Sequence, residues 1–429
     1  GDKCKVFLWE RNNADLSMKP AKYDDISENQ DTVCVYVSPN GDDQNSGSLS
    51  EPLQTVNAAK NKIRELNLTE KGKKLNVILR EGEYRERLIL GSVDSGKNGN
   101  VITYKAYPDE RPVFTGAKQI KRTDLKKLTD SERLKRIPED ARDSICYVSL
   151  SDYEISDDSK RPWYGRFSYL AENLNKNENI SYTPNELFCD DTAMRIARYP
   201  NVDNLMVESV LDTGSNGFTD SAATYRPFAI KVDDERIKSW TNAENALMYG
   251  HWKYLWANQS VPIASIEDDI ITSKYPAAFG VDEECDFYVY NLIEELDSPG
   301  EYYIDDGILY IYPSQGNGDF ELSTEKQPLI SIDSCKNITI DGIRMKNTSS
   351  NAIFCSDAEN VYIKNCEIYN TADYAIEMSG KNSGIENCYL HDVDGGINIS
   401  GGDRKTLTSA NLYVNNCEIK NFSRLTKTY

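Results

Sequence analysis

The stretch "NVYIKNCEIYN" (residues 360–370) is rewritten almost letter for letter as "NLYVNNCEIKN" (411–421). Two looser copies, "NITIDGIRMKN" (337–347) and "NSGIENCYLHD" (382–392), complete a series of four. Successive copies start 23, 22 and 29 residues apart, and the insert "GGDRKTL" lengthens the last step. Each copy alternates apolar and polar residues, as a strand with one buried face does. Shorter strand-like runs, "AIFCS", "AIEMS" and "GINIS", lie between the copies, bounded by Asn, Asp, Gly and Ser. A period of about 22 residues made of short strands is one coil of a parallel β-helix. The LxxLxL pattern of leucine-rich repeats is absent.

Stacked coils bring equivalent positions to about 4.8 Å from one another. Ile343, Cys366, Cys388 and Cys417 therefore form one expected inward column, the cysteines acting as small packing residues with free thiols. Asn347, Asn370, Asp392 and Asn421 form a second expected column, at a turn where stacked amides bond to each other.

Composition limits the partners. With 69 acidic against 49 basic residues the net charge is −20, a field that repels phosphate backbones and anionic lipid. No nucleic-acid partner and no membrane span are expected, because no apolar run reaches the roughly 18 residues of a transmembrane helix. The ten cysteines include no CxxC pair or Cys/His cluster, and the two histidines, His251 and His391, leave little for a His-based metal site or a Ser-His-Asp triad. The 27 tyrosines and the frequent Asn-x-Ser/Thr triplets fit an extracellular carbohydrate-handling protein, and equally the needs of strands and turns.

Residues 1–33 are polar, carry Cys4 and read as a leader. From Val33 a strand enters a Gly/Asn/Asp/Ser loop, and an amphipathic helix is expected from about Pro52, with Leu53, Val56, Ala59, Ile63 and Leu66 on one face. Such a helix would cover the first coil of a stack. The middle of the chain holds strand-like runs ("RPFAIKV", "DFYVYNLI", "EYYIDDGILYIY") without the 22-residue period.

Five motifs, "YVSPNGDDQNSGSLSEPLQTVNAA", "ILREGEYRE", "ITYKAYPDERPVFTGA", "LFCDDTAMRIARYPN" and "NLIEELDSPGEYYIDDGILYIYP", together resemble the right-handed parallel β-helix glycoside hydrolases. The resemblance spans roughly residues 34–429. It implies a mainly β chain: a right-handed parallel β-helix with an N-terminal capping helix and an inserted β-rich domain. The implied division is cap and first coils at 34–116, insertion at 117–327 and further coils at 328–429. The chain ends within the repeat pattern at "NFSRLTKTY", and the resemblance implies further coils, with active-site residues among them, beyond Tyr429. A secreted or cell-surface protein acting on polysaccharide or oligosaccharide is the corresponding expectation.

Glycoside hydrolysis needs two carboxyl groups, about 5–5.5 Å apart for retention or about 6.5–9.5 Å for inversion. Aligning "DYAIEMSG" with "DGGINISGG" stacks Asp373 over Asp394 and Glu377 over Asn398. Asp392 and Asp403 complete the expected catalytic carboxylates. His391, Arg404 and Tyr374 are expected substrate contacts beside them. The same aspartates suggest Ca²⁺ ligands and a lyase with Arg404 or Lys405 as base; acidic turns of a β-helix are also commonly architectural. "GHWKYLWANQS" gathers His251, Trp252, Tyr254 and Trp256. Trp256 is either a sugar-stacking contact or part of the core of the insertion. A non-catalytic carbohydrate-binding or surface protein is the other functional class compatible with these residues.

Overall fold

The computed structural model describes residues 32–426, apart from 67, 72, 156–162, 169–184, 221–224, 241–242, 244 and 315. The leader reading, with Cys4, therefore falls outside the described residues except at its end, where strand Thr32–Val37 already begins.

The coils form three parallel faces. The first stacks Thr32–Val37, Lys74–Leu79, Ile102–Ala106, Lys336–Asp341, the end of Ile353–Lys364, Gly384–Glu386 and Tyr413–Asn415. The second stacks Glu83–Tyr84, Val113–Thr115, Arg344–Thr348, the start of Glu367–Lys381, the start of Tyr389–Ser400 and Glu418–Lys420. The third stacks Leu88–Leu90, Ile330–Asp333, the start of Ile353–Lys364 and the ends of Glu367–Lys381 and Tyr389–Ser400. The alternating pattern puts one residue type inward at every coil. On the first face Val35, Val77, Tyr104, Ile340, Ile363, Ile385 and Val414 are in register. On the second, Tyr84, Phe114, Met345, Ile368, Leu390 and Ile419 are. Apart from the exposed Val414 and Ile419 of the last coil, these rows merge into one core, each large aliphatic side chain contributing about 1.5–3 kcal/mol on burial.

The cysteine column stands at the corner before the second face. Cys366, Cys388 and Cys417 each direct Sγ to the carbonyl two residues earlier, at 3.1, 3.3 and 3.4 Å, and all are free thiols. The asparagine column follows that face. Asn347, Asn370, Asp392 and Asn421 all have φ between 52 and 56°, the left-handed region that short polar side chains tolerate. Within it the Asn370 amide donates to Asn347 at 2.9 Å and Asn421 to Asp392 at 3.0 Å.

The first helix is shorter than its apolar pattern. It runs Val56–Glu65, with Thr55 as N-cap accepting from the Ala58 amide, and buries Val56, Ala59 and Ile63 in the coil core. Leu53 precedes it and bridges Val37 as strand, while Leu66 ends it half-exposed. The start at Val56 follows from the Glu86 carboxylate, which accepts the Val56 and Asn57 amides at 2.6 and 3.2 Å.

Strands from Ala117–Ile120 to Phe320–Ser323 form separate sheets of four, five and eight strands, none pairing with the coils. Three apolar cores lie among them.

Candidate functional site

Outward side chains of the second face make two rows. Arg344, Glu367, Tyr389 and Glu418 form one; Lys346, Tyr369, His391 and Lys420 form the other. The His391 ring stacks on Tyr369, with centroids 4.9 Å apart at 6°, and on Tyr389 at 4.7 Å and 29°. Its Nδ1 lies 2.8 Å from Asp392 Oδ2 and its Nε2 3.8 Å from Glu367 Oε1. Arg344 Nε meets the other Glu367 oxygen at 2.5 Å. Two carboxylates thus face each other across one imidazole. Burial alone would lower the His391 pKa, but Glu367 and Asp392 outweigh it and hold it above the ordinary value. Burial would raise both carboxyls. For Glu367 the His391 and Arg344 charges reverse that, and for Asp392 His391 and the Asn421 amide do. Of the three groups, His391 is the one whose protonated form the cluster favours.

The inserted sheets reach the same face through a hairpin. Strands Leu187–Cys189 and Thr192–Ala193 are joined by Asp190 and Asp191, both at positive φ as a two-residue hairpin turn requires. Asp191 accepts Lys346 Nζ at 2.8 Å and the Tyr369 hydroxyl at 3.2 Å, and its carbonyl accepts Asn370 at 2.8 Å. Lys346, one-tenth exposed, also bonds Glu321 at 2.7 Å and lies 3.4 Å from Glu83. Burial would lower its pKa; Asp191 and Glu321 hold it raised.

The expected Asp373–Asp394 pair lies at the corner between the second and third faces. Thr371 is opposite Val393 and Tyr374 opposite Gly395, so Ala372 and Asp373 together oppose Asp394 in a bulge. Asp373 is exposed, and its Oδ1 accepts the Tyr374 amide at 2.9 Å. Asp394 is tied down: one oxygen accepts the Leu425 and Thr426 amides, each at 2.7 Å. These bonds fasten a strap, in which Arg424 forms a two-pronged pair with buried Glu186 and Leu425 packs on a core of the inserted sheets. The Tyr374 ring covers Gly395, where a Cβ would come within 2.4 Å of it.

Glu377 does stack on Asn398, but on the third face, away from the imidazole rows, and the Asn351 and Asn398 amides bond it at 2.9 and 3.3 Å. Asp403 and Arg404 lie in an exposed hairpin closed by Asp403–Thr408 backbone bonds. The Lys405 amide, at 2.8 Å, holds the Asp403 carboxyl below its ordinary pKa. "GHWKYLWANQS" divides: Trp252 is buried, His251 pairs with Asp286 at 3.1 Å, and Tyr254 and Trp256 are at the surface. The sequence therefore brought together His391 and Asp392, and separately Asp373, Asp394 and Tyr374. Glu367 and Tyr369 were missed, although both occupy fixed columns of the repeat. Asp191 and Lys346 meet across 155 residues with no local signal.

Two of the aspartates suggested as Ca²⁺ ligands, Asp392 and Asp394, already face N–H donors. Asp394 Oδ1 already accepts two amides, and the Asp392 oxygens face His391 and Asn421 donors.

A family model described as "Right handed beta helix region" matches residues 322–425. A solved structure named only "Glycoside hydrolase" superposes on 91% of this chain and 73% of its own, with TM-score 0.66 and 15% identity, a likeness of fold. The structure of XylC with xylose aligns over 84% of this chain and 54% of its own, at TM-score 0.38 and 13% identity. The uncharacterized protein YwoF of Bacillus subtilis (strain 168) is 37% identical over 82 residues, or 19% of this chain. The chain spans only 15% of that relative's length. The class is thus a right-handed parallel β-helix, of a fold shared with a glycoside hydrolase. Among the described residues no helix is long and apolar enough to cross a membrane.

Proposed function

We propose that this chain acts on polysaccharide or oligosaccharide, outside the cell or at its surface, along the outward side of the second face. The observation that carries the reading is the Glu367–His391–Asp392 cluster, an imidazole held between two carboxylates on a β-helix of glycoside hydrolase-like fold. In this reading His391 delivers its proton to the departing glycosidic oxygen. A neighbouring carboxylate takes a proton from the attacking water, and Asp392 and Asp373 are the two assigned to that task. Positioned acid–base groups of this kind contribute about 10²–10⁴-fold each. Asp394, Glu377 and Asp403 are assigned to architecture, with Tyr374 and Arg404 as lesser contacts.

One observation favours a binding protein instead. Neither Glu367 nor Asp392 is held protonated, so the cluster lacks the raised carboxyl that glycosidases use as acid. Release of reducing ends from a panel of polysaccharides separates the two. Turnover that falls at least 100-fold in His391→Gln and Asp392→Asn supports cleavage. Binding without turnover, weakened by the same substitutions, supports the second reading.

A further inference from the structure

We propose that Asp191 and Tyr369 are positioning residues for His391, through which the inserted sheets govern the protonation of an imidazole borne on the coils. The inference deepens the reading of the second face as a saccharide site and rests on it for its catalytic meaning.

The chain of contacts is continuous. Both oxygens of the Asp191 carboxylate are engaged, Oδ1 by Lys346 Nζ at 2.8 Å and Oδ2 by the Tyr369 hydroxyl at 3.2 Å. The backbone is held too, since the Asn370 side-chain amide donates to the Asp191 carbonyl at 2.8 Å. Tyr369 is only 7% exposed, so its ring is packed in place and its hydroxyl is anchored. The His391 ring lies on that ring at 4.9 Å and 6°. A tyrosine fixed at both ends presents one plane, and the imidazole adopts it.

Chemistry gives the stack a direction. A π face attracts a cation, and protonated imidazole is a flat cation that can lie along it. A hydroxyl that donates to a carboxylate is polarised further, which leaves more negative charge on its ring. The Asp191 bond therefore strengthens the hold of Tyr369 on the protonated form of His391. Other groups face the same imidazole. Glu367, itself paired with Arg344, does so from the preceding coil, and Asp392 and Tyr389 do so from its own strand. Lys420 is in register with it on the following coil, where Asn421 bonds Asp392. All of these belong to the coils. The Asp191–Tyr369 bond alone among them needs the inserted hairpin docked on the second face.

The test is a pH titration by NMR of the full chain carrying histidine labelled with ¹³C at Cε1. The chain has two histidines, and His391→Gln assigns their signals. We expect the proton affinity of His391 to fall about fivefold in Tyr369→Leu, which keeps an apolar cover without a π face, and about twofold in Tyr369→Phe. Asp191→Asn should match Tyr369→Phe, and the double variant should fall no further. His251, paired with Asp286 in the inserted sheets, should titrate as in wild type throughout and so reports intact folding. An unchanged His391 titration in Tyr369→Leu overturns the proposal. So does a fall in Asp191→Asn that recurs in full on the Tyr369→Phe background, because the carboxylate then acts through space and not through the ring. Where glycan is cleaved, the alkaline limit of turnover should move to lower pH in Tyr369→Phe; a limit that stays in place overturns the positioning role. The expected titrations in a chain that cleaves no glycan support the coupling and sink the cleavage reading alone.

Discussion

Replacing Asp394 separates chemistry from architecture at the carboxylate pair that the repeats bring together. Asp394→Ala removes an oxygen that accepts two amides at 2.7 Å. Hydrogen bonds to a charged group contribute about 1.5–3 kcal/mol each, and the half-buried setting argues for the lower end. The sum for the pair is about 3 kcal/mol. Leu425 and Thr426 lose that anchor, although Ser423 keeps its bond to the Asp394 backbone carbonyl and Arg424 its Glu186 pair. At about 2–4 °C per kcal/mol for domains somewhat smaller than this chain, melting should fall by about 6–12 °C or less. Asp394→Asn keeps one acceptor oxygen and should lose about half as much. Differential scanning fluorimetry reads the melting, and timed trypsin digestion reads cleavage after Arg424. If Asp394→Asn melts and resists trypsin like wild type but has lost turnover, the assignment of Asp394 to architecture is wrong.

Four further outcomes follow from the same geometry. Lys346→Met leaves Asp191, Glu321 and Glu83 without their shared cation and should destabilise by about 3–5 kcal/mol, read by thermal melting; an unchanged melting point would contradict the buried ion cluster. Because the folded His391 pKa is raised, its stabilising effect is complete below about pH 6.5 and lost as pH rises through the folded value. The melting gap between wild type and His391→Gln should accordingly be wide at pH 5 and narrow at pH 9. The Cys388 thiol, pushed well above its ordinary pKa by hydrogen bonding with Cys366 and by burial, should react with a thiol reagent only after unfolding. We also propose that residues 117–327 behave as a lobe, so brief proteolysis should nick inside it before cutting 335–420.

The coil register was legible because side chains alternate with period two and coils repeat with period near 22, so matching "NCEI" with "NCEI" aligns every position between them. That alignment correctly stacks Cys366 on Cys388, and the separate match of "DYAIEMSG" with "DGGINISGG" correctly stacks Glu377 on Asn398. The two registers, 22 and 21, meet at a one-residue bulge where Ala372 and Asp373 together oppose Asp394, a change that no composition signal announces. The helix start was misplaced because Leu53 continues the apolar spacing, yet Glu86, thirty residues on, decides which amides begin the helix. Glu367 and Tyr369 stand in the same columns as Tyr389 and His391 and could have been read from the repeat. Asp191 could not, since only the folding of the insertion brings its hairpin to Lys346 and Tyr369.

A crystal structure of the protein with a bound oligosaccharide tests the central claim most directly. The account predicts sugar density along the second face, with hydroxyl or glycosidic oxygens within hydrogen-bond distance of His391 and Asp392 and at least one sugar beside Asp191 or Asp373. Density confined to the third face near Glu377, or to the 401–410 hairpin, with the His391 cluster untouched, would contradict it.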